Sequence, residues 1–145
     1  MSRPAAAHGD PAPASDQELR LVISEVGGIT VGIEAVEVEV AAGEPAGETA
    51  GETIDLAAFW DLPTSTLARR ALALRGPAER TVWLVLGPSA TLKLIPRSAR
   101  LDLPIFIQAL AQRAGVCSLL ALDHGLGYLL DVERLTGRRA RGHQP

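Results

Sequence analysis

The chain has 145 residues, 47% of them hydrophobic and 21% charged, with a formal net charge of −3. That describes one globular domain, or two small lobes sharing a core, and excludes a wholly disordered chain. The single cysteine, Cys117, excludes an internal disulfide and any cysteine-based zinc cluster and fits a reducing compartment.

The first ten residues contain no apolar h-region, and no stretch approaches ~18 uninterrupted apolar residues. Neither a secretory signal nor a membrane-spanning helix is expected, and the expected location is the cytoplasm. Charge is uneven along the chain. Residues 1–66 carry two basic and twelve acidic groups, and residues 67–145 carry twelve basic and five acidic. Such a split describes either a solvated acidic loop with a basic tail, or two lobes of opposite sign that favour head-to-tail contacts between copies.

Residues 1–17 are rich in Ala, Pro and Gly, lack apolar periodicity and are expected to form a disordered arm. Residues 19–26 read as a strand with Leu19, Leu21 and Ile23 on one face. Gly27-Gly28 is a two-residue hairpin signal, and Ile29, Val31 and Ile33 alternate beyond it. From Val36 the alternation changes parity, through Val38 and Val40, so a bulge or short turn is required near Glu34 and Ala35. Residues 41–52 repeat Ala-Gly-Glu at irregular spacing with no large apolar residue, the pattern of a flexible acidic loop.

Thr53-Ile54 reads as a short strand, with Asp55 at an N-cap position before Leu56, Phe59 and Trp60 at helical spacing. Leu62-Pro63 stops that helix. Residues 66–74 suit a helix or a strand equally. Residues 81–86 are apolar on both faces, as in a central buried strand. Gly87-Pro88-Ser89 reads as a turn returning into residues 91–95, a second hairpin that residues 99–103 extend. Pro104 opens a helix through Ala114, with Ile105, Phe106, Leu110 and Ala114 on or near one side, and Gly115 stops it. Residues 116–122 and 126–130 form a closing hairpin about Asp123-His124-Gly125, and Asp131 caps a last half-turn with Val132 and Leu135. The pattern Ile54-Asp55-Leu56-x-x-Phe59 recurs as Leu130-Asp131-Val132-x-x-Leu135 and suggests two similar lobes. Residues 138–145 form a basic tail.

Signs of catalysis are few. The only lysine, Lys93, lies in no phosphate-binding loop, and Gly125-Leu126-Gly127 lacks the third glycine of a dinucleotide motif. The histidines are His8, His124 and His143, two of them in the expected disordered ends, so no metal site is expected. Asp123 beside His124 is the one pairing that suits general-base work, but no motif places a nucleophile, since Cys117 and Ser118 fall on an apolar strand. Asp55 and Asp131 read as helix caps. Arg138, Arg139 and Arg141 make too small a field for specific nucleic-acid binding. No catalytic residue, cofactor or metal is expected, and the chain reads as a non-enzyme.

The strand order and several local motifs resemble the CheW-like domain of bacterial chemosensory systems. Leu119 through Leu135, LLALDHGLGYLLDVERL, resembles that family's closing hairpin with its Leu-Asp-(Leu/Ile/Val)-Glu-x-Leu run. Thr53-Ile54-Asp55-Leu56 is similar to the family's Pro-Val-(Ile/Val)-Asp-Leu. Residues 21–38 resemble its first hairpin, residues 81–86 its central strand, and Leu101-Asp102-Leu103-Pro104 its Leu-Pro after the second lobe's hairpin. The family's Gly-x-x-Asn-(Leu/Val)-Arg-Gly segment, which carries an arginine associated with receptor contact, has no counterpart; the acidic residues 41–52 stand in its place.

The resemblance implies a mainly β chain with short helices, folded as two SH3-like small β-barrel lobes over residues 18–137. It implies a non-enzymatic adaptor in chemosensory signalling, whose partners are a CheA-type histidine kinase regulatory domain, other CheW-like domains and the cytoplasmic tip of a chemoreceptor, with no nucleic acid and no membrane insertion. A divergent scaffold of the same fold in motility or polarity regulation is the alternative, and a small enzyme using Asp123 and His124 a further one. The candidate partner-binding residues are Val36, Glu37, Val38, Phe59, Trp60, Arg69 and Arg70.

Overall fold

The computed structural model describes residues 17–42 and 52–137. The expectations for residues 1–16, for most of the acidic stretch 41–52 and for the tail 138–145 lie outside the described residues.

Two consecutive glycines in left-handed conformations, Gly27 at φ 57° and Gly28 at φ 88°, join β1 (Glu18–Val26) to β2 (Ile29–Glu34). That is the geometry a two-residue hairpin needs, and it sets the antiparallel register from Leu21 against Glu34 to Val26 against Ile29. The parity change is absorbed by a 3-10 turn at Ala35–Glu37, after which β3 runs over Val38–Ala42. The strand thus begins at Val38, and Val36 belongs to the turn. Then come β4 (Glu52–Asp55), α1 (Leu56–Phe59), β5 (Ala71–Arg75), which settles residues 66–74 as partly strand, and β6 (Thr81–Val85). The last third holds β7 (Ala90–Pro96), the two-residue β8 (Arg100–Leu101), α2 (Gln108–Arg113), β9 (Val116–Leu122), β10 (Gly125–Leu130) and α3 (Val132–Thr136).

These strands form two sheets, in the orders β7-β1-β2-β10-β9-β8 and β3-β5-β6-β4. The fold is mainly β with short helices, as expected. The first and last hairpins meet in a parallel pair, β2 against β10, with Val31 opposite Tyr128 and Gly32 opposite Leu129. Gly32 is closely covered: a Cβ there would lie 2.9 Å from the Leu120 Cδ1 and 3.2 Å from the Ile23 Cδ1, both of which would have to shift. Leu19, Leu21, Ile23, Ile95, Leu120 and Leu129 fill the concave face of the six-stranded sheet. A larger core, including Val31, Ile33, Leu56, Leu72, Leu74, Leu84, Leu86 and Leu130, joins its other face to the four-stranded sheet.

The expected second hairpin is not formed. β6 pairs with β5 and, in parallel, with β4, whereas β7 leaves that sheet and pairs antiparallel with β1. Gly87-Pro88-Ser89 is therefore a crossing between sheets. Likewise β8 pairs with β9 and does not extend the sheet of β6. The halves of opposite charge do not correspond to the sheets either, because the hairpin β1–β2 of the acidic half lies in the same sheet as β7–β10.

Both copies of the internal echo are strand–cap–helix units. The Asp55 carboxylate accepts from the backbone N–H groups of Ala57 (3.1 Å) and Ala58 (3.4 Å), and Asp131 accepts from that of Arg134 (3.2 Å). Gly137 ends α3 in the left-handed conformation at φ 86°.

The crossing depends on Gly87. Its N–H donates to the Ser24 hydroxyl (3.2 Å), its carbonyl accepts from the Arg70 N–H (2.9 Å), and a Cβ there would stand 1.7 Å from the Glu25 carbonyl oxygen. Gly87→Ala must push β1 and the crossing apart, and is expected to cost about 1–3 kcal/mol in urea unfolding; an unchanged midpoint would show that the crossing yields without strain.

Candidate functional site

The helix expected from Pro104 to Ala114 forms as a 3-10 turn at Ile105–Ile107 followed by α2. Its apolar residues do not all face inward. Leu103 is buried, and Ile107, Ala111 and Ala114 pack on the main core, but Ile105 is 84% exposed, Phe106 85% and Leu110 63%. Three consecutive large apolar residues on a helical segment cannot share one side, since successive residues are ~100° apart. Two of the three must look outward here.

Leu110 lines an apolar groove of about 500 Å³, whereas Ile105 lines a separate cleft with Asp102, Gln108 and Asp131. One wall of the groove is Trp60 and Leu62 beyond α1; the floor and other wall include Leu103, Ile107, Ala111 and Tyr128. No charged residue lines it. Trp60 ties the walls together, because its indole N–H donates to the Ala114 carbonyl at the end of α2 (2.8 Å). The half-buried ring is thus both a groove wall and a strut, and its polar edge is satisfied.

The sequence-derived candidates are spread over several places. Trp60 lines the groove. Its neighbour Phe59, about half exposed, lies in a second cleft with Ile54, Gln112, Arg113, Arg134 and Leu135. Val36 is 77% exposed in the 3-10 turn, beside half-buried Glu37, which shares a third cleft with Glu34, Arg100, Asp131 and Glu133. Val38 is partly buried and packs against the main core. Arg69 holds both carboxylate oxygens of Asp55 at 2.9 Å, which fixes the chain before β5 to the cap of α1. Arg70 has an exposed side chain, and its backbone bonds Gly87 and Leu86. Only Trp60 therefore joins the apolar face. Ile105, Phe106 and Leu110 were missed as surface residues; the Ile-Phe-Ile run was the available signal.

The features weighed for catalysis lie apart. Asp123 and His124 sit exposed in the β9–β10 turn, where His124 Nε2 lies 3.4 Å from the Thr30 hydroxyl. The cleft beside them contains neither Cys117 nor Ser118. The Ser118 hydroxyl accepts from Arg100 (2.9 Å), and the Cys117 thiol lies 3.6 Å from the Leu129 carbonyl oxygen. Burial pushes the Cys117 thiol up, with Arg100 pulling the other way. The fold thus favours the neutral thiol, not the reactive thiolate. Among the described residues no group of three or more His, Cys, Asp or Glu side chains is placed to hold a metal ion, and no helix is long and apolar enough to cross a membrane.

No protein-family profile matches the chain, and no curated protein does. Among solved structures it is similar to the scaffolding protein TtCheW from Thermoanaerobacter tengcongensis, with a TM-score of 0.56 at 11% sequence identity over 77% of this chain and 88% of that one. At that identity the likeness is one of fold: the chain has a CheW-like architecture.

Two outcomes are expected. Trp60→Phe keeps the ring but removes the donor to Ala114, and should cost about 0.5–1.5 kcal/mol in chemical denaturation. A stability equal to wild type would show that the strut carries nothing. Cys117 should react with iodoacetamide several-fold more slowly in the native protein than in denaturant, and native stability should fall as pH rises above the thiol's unfolded value of about 8.5, since the raised folded pKa disfavours the thiolate. Equal rates in the two states would contradict the protected thiol.

Proposed function

We propose that this chain is a non-enzymatic adaptor in a bacterial chemosensory system, coupling to the CheW-like regulatory domain of a CheA-type histidine kinase. The single observation that supports this reading is the apolar surface of the α2 segment, where Leu110 lines the uncharged Trp60 groove and Ile105 and Phe106 stand exposed in the preceding turn. Aromatic and aliphatic side chains standing in water beside a concave apolar wall are the raw material of a binding hot spot, and patches of this kind mark interaction surfaces. The face needs a partner with apolar side chains of its own. A homologous domain fits, because a copy of the same architecture carries comparable sheets and helices. Similarity of fold to a scaffolding protein points the same way. On this reading the work is done by binding free energy, and no residue performs chemistry. Val36, Phe59 and the Arg69–Asp55 pair lie outside this face and serve, on the same reading, as flanking contacts or struts.

A scaffold of the same fold working outside chemotaxis, in motility or polarity regulation, is the second reading. It is favoured by the acidic stretch 41–52 standing where the family has its Asn-x-Arg-Gly segment. Receptor contact is the part of the adaptor role that this difference touches most.

The test is co-elution of the full chain with the CheW-like regulatory domain of its host's CheA-type kinase at low and high salt. A complex should form, should change little with salt because the groove is uncharged, and should weaken at least about tenfold in Phe106→Ser. The melting temperature of that variant should match wild type, because the side chain is almost wholly in water. No complex, with both proteins shown folded, would overturn kinase coupling and leave the second reading.

A further inference from the structure

A second surface, separate from the α2 face, lies along the edge of the six-stranded sheet. β7 is paired on one side only, with β1 from Glu18 to Ser24. Among the described residues no strand pairs with its other side. The short β8 reaches β9 only at Leu119 and Leu120, so Ala121 and Leu122 at the far end of β9 also lack a partner on that side. β7 and this end of β9 border one small cleft of about 170 Å³, with Asp123 and His124 at its far wall. The sheet curls towards closure and stops short, leaving a seam with backbone N–H and C=O groups turned to it.

The side chains of β7 give that seam a definite character. Leu92 and Leu94 point from one face and are 52% and 45% exposed, while Lys93 points from the other, exposed at the cleft. No Asp or Glu occurs from Gly87 through Leu101, a stretch that includes Lys93, Arg97 and Arg100; Arg20 lies opposite Leu94 on β1. The acidic neighbours are Glu18, opposite Pro96 at the end of the strand, Asp123 across the cleft, and Glu34, which pairs with Arg100 at 3.8 Å, so that Lys93 is the cation at the cleft itself.

We propose that the free edge of β7 takes an extended acidic segment of another protein as an added strand. Main-chain hydrogen bonds to the open edge supply the attachment, as in other cases of strand addition. Side chains supply the choice of partner. A residue opposite Lys93 shares its face, and residues on either side fall opposite Leu92 and Leu94 on the other face. The segment recognised therefore reads apolar-acidic-apolar. A second copy of β7 is the poorer occupant, because antiparallel pairing centred on the middle of the strand sets Lys93 against Lys93. Edge lysines disfavour self-pairing in this way.

The experiment uses the full chain and two synthetic five-residue capped peptides, Thr-Val-Glu-Val-Thr and Thr-Val-Lys-Val-Thr, followed by amide NMR. The Glu peptide should shift the amides of residues 90–95 and their β1 partners and slow the hydrogen exchange of β7, and the Lys peptide should bind at least about tenfold more weakly. Lys93→Glu should reverse that preference, while Phe106→Ser should bind the Glu peptide as wild type does. Shifts centred away from β7, equal affinity for the two peptides, or no binding at millimolar peptide would each overturn the proposal. The wild-type comparison of the two peptides stands even if the Lys93 variant is poorly folded, and none of these outcomes bears on kinase coupling through α2.

Discussion

Strand β2 is buried on both faces, and each half of the molecule is built on one of them. Val31 and Ile33 face the core shared with the four-stranded sheet, whereas the bare backbone of Gly32 lets Leu21, Ile23 and Leu120 close over the other side. Both neighbours of β2 are thereby fixed. The Gly27-Gly28 turn delivers β1 on one side, and parallel pairing delivers β10 on the other. All else follows from that placement: β1 recruits β7, β10 recruits β9, and the side chains pointing away from the concave core meet Leu72, Leu74 and Leu84 of the second sheet. A side chain at position 32 would press on the terminal methyl groups of Leu120, Ile23 and Leu21, which would have to shift to admit it.

The candidate site is a consequence of how that core is finished. The segment after β8 must turn back to begin β9, its antiparallel neighbour, and it does so through a 3-10 turn and a helix of less than two turns. So short an element has room to bury one row of side chains. Leu103, Ile107, Ala111 and Ala114 take that row, and Ile105, Phe106 and Leu110 are left in water. The Trp60 bond to Ala114 holds the helix end at a set distance from α1 and so keeps the groove open. Rigidity of this kind reduces the ordering cost that a partner has to overcome.

Legibility of the fold in the sequence tracked the range of the interactions involved. The first hairpin, the parity change after Glu34 and the two aspartate caps were readable because each is decided within a few residues, by glycine conformations or by a carboxylate near backbone N–H groups. The resemblance to CheW-like domains rested on such local motifs and agrees with the architecture. The error at Gly87-Pro88-Ser89 had a non-local cause. A turn that returns to its own strand and a crossing to another sheet share the same residues, and what separates them is the contact of Gly87 with Ser24 and Glu25, more than sixty residues away in the chain. The site was less legible than the fold. Periodicity identified 104–114 as helical and grouped its apolar residues, but it cannot say which of them a short helix leaves uncovered. Of the seven candidates, the groove holds Trp60, while Val38 is partly buried against the core and Arg69 is tied to the Asp55 cap.

The parallel junction between β2 and β10 also dictates the order in which the protein can be completed during synthesis. Strands β3 to β6 lie between residues 38 and 85 and pair only with one another, so their sheet is available as soon as that stretch has left the ribosome. The amino-terminal hairpin emerges earlier but finishes later. One of its edges waits for β7 and the other for β10, almost at the carboxyl end of the described chain. Contacts so distant in sequence form slowly, and until they form both outer edges of the nascent hairpin stand open to other chains on the same message. Among the described strands the first to be made are thus the last to be protected, and the interval between those events is set by the translation of everything in between.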